Sequence, residues 1–170
     1  MLIKSIFFVL LLCSVEVLGQ TLPQQLPQHW KRIGEAELSI LWFDIYNAEL
    51  LSPDGRYSGV NSPLVLKLNY HRNISQADML EETQKQIKKF AHKDQADGWL
   101  TKLSQVWPDI YKGDQLAFWI DHENTGHFFH NEDWVGSLQD PAFSTAFIQI
   151  WLSDNSSYPD LAKKLRGSVK

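Results

Sequence analysis

Between Glu35 and Leu51 the polar and apolar positions first alternate and then merge. Ala36, Leu38, Ile40 and Trp42 stand against Glu35, Glu37 and Ser39, and from Leu41 both faces become apolar through Trp42, Phe43, Ile45 and Tyr46. Alternation with period two predicts a strand with one wet face, and the merging predicts its entry into a covered layer. The run is long for one straight strand, so a bend or bulge is expected near Asp44 to Asn47. Pro53-Asp54-Gly55 then turns the chain, with glycine free to take a positive φ. Leu64, Leu66, Leu68 and Tyr70 alternate with Val65, Lys67, Asn69 and His71, which predicts a half-buried strand.

The period then changes. Ser75-Gln76-Ala77-Asp78 resembles a capping box, in which the serine oxygen accepts backbone N–H groups that a helix start leaves free. Ala77, Leu80, Ile87 and Ala91 mark the expected buried face of a helix running to about Phe90. A second helix is expected from about Gln95 to Val106, with Trp99, Leu103 and Val106 on one side and Pro108 just past its end. Lys112-Gly113-Asp114 turns the chain into a hairpin of Gln115–Asp121 and His127–Asn131, with its loop around Asn124 to Gly126. Trp134 to Leu138 is a short further strand. Asp140 is an N-cap followed by Pro141 at the first helical position, where the missing N–H costs nothing. Phe143, Ala146, Phe147 and Ile150 follow at i, i+3, i+4 and i+7, one apolar stripe. Pro159 opens a last short helix ending before Gly167. Strands, two helices, strands, two helices make an α+β domain with helices on one face of an antiparallel sheet.

The first nineteen residues stand outside that domain. Lys4, the apolar run Ile6 to Cys13 and the small-residue end at Val17-Leu18-Gly19 read as a secretory signal peptide over residues 1–19. The run is too short to span a bilayer. Its removal takes away Cys13, the only cysteine, so the mature chain would hold no disulfide and no thiolate ligand. Residues 20–29, polar and proline-spaced, read as an extended tether, and residues 30–170 as one domain. A periplasmic or secreted monomer with no stable membrane anchor is the expectation. Net charge is −4 with both signs interspersed, so no basic stripe suits a nucleic acid. Seven tryptophans and nine phenylalanines suit an aromatic core, or a cavity walled by rings that holds a flat or acyl ligand.

Candidate chemistry is sparse. Asp121, His122, Glu123, His127 and His130 are close in sequence, but His127 and His130 are three apart on a strand and point to opposite faces. A solvated hairpin is expected, with no metal and no cofactor. Asn73-Ile74-Ser75 and Asn155-Ser156-Ser157 fit the glycosylation sequon, although Ser75 already has a capping role. Glu35 and Glu37 lie two apart on a wet face, where carboxylates are solvated. No nucleophile elbow, Walker loop or dinucleotide fingerprint occurs.

Four blocks carry a resemblance: Leu41-Trp42-Phe43-Asp44-Ile45-Tyr46-Asn47-Ala48, the Leu64 to Ser75 junction, Gly113-Asp114-Gln115-Leu116, and Asp140-Pro141-Ala142-Phe143 through Ile150-Trp151-Leu152. In that order, from about Arg32 to Leu165, the chain resembles the exported bacterial chalcone isomerase-like proteins. The resemblance implies an open-faced β-sandwich: a curved antiparallel sheet, helices packed on one face, and a ligand cleft between. Plant enzymes of that superfamily cyclise chalcones with an Arg, two Thr, a Tyr and an Asn around the cleft. The matching positions here are Tyr46 and Ile150 for the threonines, Ile74 for the tyrosine and Glu81 for the asparagine, with Arg32 the arginine nearest in sequence. The polar set that would hold a developing oxyanion is thus replaced. Other superfamily members bind fatty acids. The resemblance therefore implies a non-catalytic protein holding a small apolar or acyl ligand at Trp42, Tyr46, Ile74, Glu81, Phe147 and Ile150. The alternatives are an intramolecular lyase using Arg32 and Tyr46, or a ligand-free envelope interaction module.

Overall fold

A computed structural model of the chain describes residues 25–40 and 42–168. The expected signal peptide and the first part of the tether lie outside the described residues. The elements run β1 (Lys31–Ile40), β2 (Phe43–Ser52), β3 (Leu64–Tyr70), α1 (Gln76–Ile87), α2 (Lys93–Val106), β4 (Gln115–Ile120), β5 (Gly126–His130), β6 (Asp133–Leu138), α3 (Pro141–Leu152) and α4 (Pro159–Leu165). The strands form one antiparallel sheet of six in sequential order. Each helix pair follows a run of strands: α1 and α2 come after β3, and α3 and α4 after β6. Across the sheet, Leu50, Leu66, Phe118 and Phe128 sit opposite one another in register and are all buried. On that face α2 packs on β6, α3 on β5, and α4 on β1 and β2, while α1 packs against α2 and α3. Helices on one face of an antiparallel sheet are what the alternation patterns and the helix caps predict, and the open-faced arrangement is the one that the family resemblance implies.

The Glu35–Leu51 run departs from expectation. It is a hairpin, because the chain reverses between Ile40 and Phe43 and pairs β1 with β2. A bulge accompanies it: Leu38 pairs with Tyr46 and Ser39 with Asp44, so Ile45 is the extra residue. No Gly, Pro, Asn or Asp stands between Ile40 and Phe43 to mark the reversal. Trp42, expected among the ligand-holding residues, is 87% exposed at the tip.

Caps set the helix starts. The Ser75 hydroxyl oxygen accepts the Asp78 N–H at 3.1 Å, and the same hydroxyl donates to the Asp78 carboxylate at 2.6 Å. Asp140 accepts the N–H groups of Ala142 and Phe143, and also the Trp99 indole N–H at 2.8 Å, which ties α2 to the start of α3. Burial alone would push the Asp140 carboxyl up, yet the Trp99 bond and the two N–H groups hold it below its ordinary value.

The buried face of α1 differs from the expected one. Met79, Thr83, Gln86 and Ile87 are buried, whereas Ala77 is exposed and Leu80 only partly covered. Residues 79, 83 and 86 share a stripe that the apolar count overlooks, since two of the three are polar.

The far face of the sheet is also partly covered. Val65, Ala117 and Phe129 are buried there together with Leu26, flanked by Trp30, Trp119 and Trp134. The tether expected over 20–29 is therefore docked from Leu26 onward. The Trp30 ring meets Trp119 edge-on at 6.3 Å. His127 belongs to this face too. It is 3% exposed, with Nε2 2.9 Å from the Asp121 carboxylate, so the hairpin is not simply solvated as its charge suggested. His130 turns the other way, to Asp114 at 2.9 Å. Among the described residues no group of three or more His, Cys, Asp or Glu is placed to hold a metal ion, and no helix is long and apolar enough to cross a membrane.

Candidate functional site: an apolar cavity between sheet and helices

A cavity of about 160 Å³ lies between the helix-side face of the sheet and the helices α1, α3 and α4. Leu66, Leu68 and Phe118 form its floor, Leu38 and Tyr46 stand at the β1–β2 side, and Met79 and Phe147 close it from the helices. The lining residues Ile40, Asp78 and Glu82 are exposed and mark its opening. A dry cavity of roughly 150 Å³ takes up a benzene-sized guest. In its present shape this one suits a guest of that size, and a longer chain would have to continue out through the opening.

Its polar groups are few and mostly engaged. The Trp151 indole N–H donates to the Tyr46 hydroxyl at 2.9 Å, joining α3 to β2 across the layer. Tyr46 and Tyr70, paired across β2 and β3, meet edge to face with ring centres 5.6 Å apart. Burial pushes the Tyr46 phenol well up, against the opposing bond from Trp151 and with help from Tyr158 and the Glu82 carboxylate. Tyr70 is pushed up by burial and then by Tyr46, and its hydroxyl makes no hydrogen bond with a described residue. Both phenols therefore remain protonated at neutral pH and act as hydrogen-bonding groups. Gln86 spans the α1 side, its amide donating to Glu82 at 2.8 Å and its carbonyl accepting the Ser157 hydroxyl at 2.6 Å. Among the described residues no lysine or arginine lines the cavity.

Comparison with known proteins places this arrangement. The model of the chalcone isomerase-like family matches residues 39–167. The chain belongs to the chalcone isomerase-like family. A protein of uncharacterised function from Haemophilus influenzae is 31% identical over 143 residues, covering 84% of this chain and 70% of that one. Among solved structures, a fatty-acid binding protein of Arabidopsis thaliana superposes with a TM-score of 0.68 at 11% identity, covering 86% of this chain and 91% of that one. At that identity the likeness concerns the fold.

Within this chalcone isomerase-like fold the sequence-derived site residues separate into two groups. Tyr46, Ile74, Phe147 and Ile150 line the cavity. Trp42 and Glu81 do not: Trp42 stands in solvent at the hairpin tip, and Glu81 is exposed on α1, 2.7 Å from the Lys85 ammonium. Glu81 sits one helical step from the cavity stripe, which is why a match by sequence position alone selected it. Arg32 and Tyr46 are not brought together. Arg32 opens β1 opposite Leu51, exposed and paired with the Glu35 and Glu49 carboxylates, while Tyr46 pairs with Leu38 further along the hairpin. Phe143 is fully buried outside the cavity lining and belongs to the core.

Sequence reasoning missed Tyr70, Glu82, Thr83, Gln86, Trp151 and Tyr158, all of which line the cavity. A signal for three of them existed. Met79, Glu82, Thr83 and Gln86 recur at i, i+3, i+4 and i+7, the spacing of a helix face that looks inward. Polar residues at such spacing read as solvated unless their neighbours are known to close over them.

Proposed function

We propose that this chalcone isomerase-like protein is a non-catalytic binding protein for a small apolar or acyl ligand, exported to the periplasm or secreted, and monomeric. The observation that carries the reading is the apolar cavity itself, lined by aliphatic and aromatic side chains with a few placed polar groups. The fold shared with a plant fatty-acid binding protein supports the same class of ligand. The alternative, an intramolecular lyase, needs a cation beside the developing oxyanion. Arg32, the candidate for that role, is engaged with Glu35 and Glu49, which supports binding over catalysis.

The reading is tested by native mass spectrometry after gentle extraction and by acyl titration followed through tryptophan fluorescence, since Trp107 and Trp151 line the cavity. A saturable emission change with one ligand per chain is the expected result. No response to any alkyl chain, with no co-purifying mass, would overturn it. Export rests on the pattern of residues 1–19 and is tested by the N-terminus of the mature protein recovered from the cell envelope or medium. Size exclusion with light scattering tests the monomer.

A further inference from the structure

We infer that the cavity selects ligands whose polar end carries no negative charge, an apolar body with a neutral oxygen-bearing or cationic head, over free carboxylates. The inference rests on the binding reading above and names its ligand class. Three observations carry it. First, the charged side chains that line the cavity are both acidic: Asp78 and Glu82, one turn apart on α1 and exposed at the opening. Second, no lysine or arginine among the described residues lines it. Three cations nearby in sequence are engaged elsewhere: Lys85 with Glu81, Lys89 with the Ser157 hydroxyl, and Arg72 over the Phe43 ring at 5.6 Å. Third, the Tyr70 hydroxyl, on a residue 6% exposed that lines the cavity, has no partner among the described residues.

A carboxylate entering this site has no good position. Deep in the cavity it loses water and meets apolar walls and neutral phenols, with no cation to offset the desolvation. At the opening it meets two like charges. Two unit charges about 6 Å apart across partly wet surroundings change an equilibrium about tenfold each. The Glu82 charge already reaches into the site, since it helps to push up both Tyr46 and Tyr158. A neutral hydroxyl or carbonyl avoids both difficulties and can accept from Tyr70. A cationic head gains at the opening what a carboxylate loses there.

The test compares three probes of one chain length, below their micelle concentrations, on the full mature protein: dodecanoate, 1-dodecanol and dodecyltrimethylammonium. Tryptophan emission and melting temperature read binding. Dodecanol and the ammonium should bind at least about tenfold more tightly than dodecanoate. Because the discrimination is partly electrostatic at an exposed opening, it should shrink in about 0.5 M salt, where the screening length falls to a few ångströms. Asp78→Asn with Glu82→Gln should narrow the gap between dodecanol and dodecanoate, and Tyr70→Phe should weaken dodecanol more than the ammonium. Equal or tighter binding of dodecanoate overturns the inference and leaves the binding reading intact. A gap that neither salt nor the double variant reduces also overturns it. If none of the three probes binds, the binding reading fails first and this inference with it.

Discussion

Truncating Phe147 tests whether the centre of α3 is cavity wall, core, or both. The ring is 2% exposed and sits among five others: Phe118 at 4.7 Å between ring centres, Phe143 and Trp151 at 5.2 Å, Phe128 at 5.5 Å and Trp107 at 5.9 Å. Phe→Ala in a packed interior costs about 3–5 kcal/mol, a transfer term plus a term for the void left behind. Here the void joins an existing cavity of about 160 Å³, so relaxation of neighbours recovers little of it. For a domain of this size each kcal/mol moves the melting temperature by about 2–4 °C, so a fall of about 6–20 °C is expected for Phe147→Ala. The variant stays folded where the parent's stability, in the range of about 5–15 kcal/mol, exceeds that cost. The enlarged cavity should then admit a bulkier apolar guest, and saturating amounts should return part of the lost melting temperature through mass action. Calorimetry with and without guest, on the parent and on Phe147→Ala, measures both quantities. A fall of less than about 2 °C would refute the packing argument. A large fall with no change in guest preference would show that Phe147 is core and that the cavity does not extend to it.

The remaining predictions concern the walls and the frame. Thr83→Leu should fill part of the cavity from α1, raising the melting temperature while weakening any ligand, a trade measured by calorimetry and fluorescence titration. A Cβ on Gly34 would lie 2.6 Å from the Leu165 carbonyl oxygen and closer to that of Lys164, so Gly34→Ala should cost about 1–3 kcal/mol and speed amide exchange in α4. Asp114 is held down from 3.8 to about 2 by the Asn131 amide, the Tyr111 N–H and His130. A depressed carboxylate contributes stability above its unfolded value and loses it as pH falls through the folded one. The melting-temperature gap between the parent and Asp114→Asn should therefore be full above about pH 4 and close towards pH 2.

Much of the frame was legible because local chemistry dictated it. Asp140-Pro141 fixes the start of α3 whatever surrounds it, and Ser75 with Asp78 fixes α1 in the same way. A period-two run marked β3, and the turn at Lys112-Gly113-Asp114 marked the start of β4. The β1–β2 reversal was illegible because tertiary pairing made it, with no turn-forming residue between Ile40 and Phe43. The docking of Leu26 was hidden likewise: one leucine in a polar, proline-spaced segment gives no sign of the aromatic face that it covers.

The site was legible to a different degree, for a reason that lies in α1. Position matching to the superfamily located the cavity wall at Tyr46, Ile74 and Ile150, because a shared fold keeps backbone positions even when side chains change. It could not say what the wall is made of. That depends on which α1 residues turn inward, and there the polar Thr83 and Gln86 hold places where leucines would complete the layer. Large apolar side chains at 83 and 86 would close the space beneath α1 and bond nothing. The polar pair does the reverse, with Gln86 tied to Glu82 and Ser157 and so held away from filling the gap. A polar residue kept at an inward position weakens a core unless the space is wanted. The interruption of the apolar stripe on α1 is therefore the feature that turns a packed sandwich into one with room for a guest.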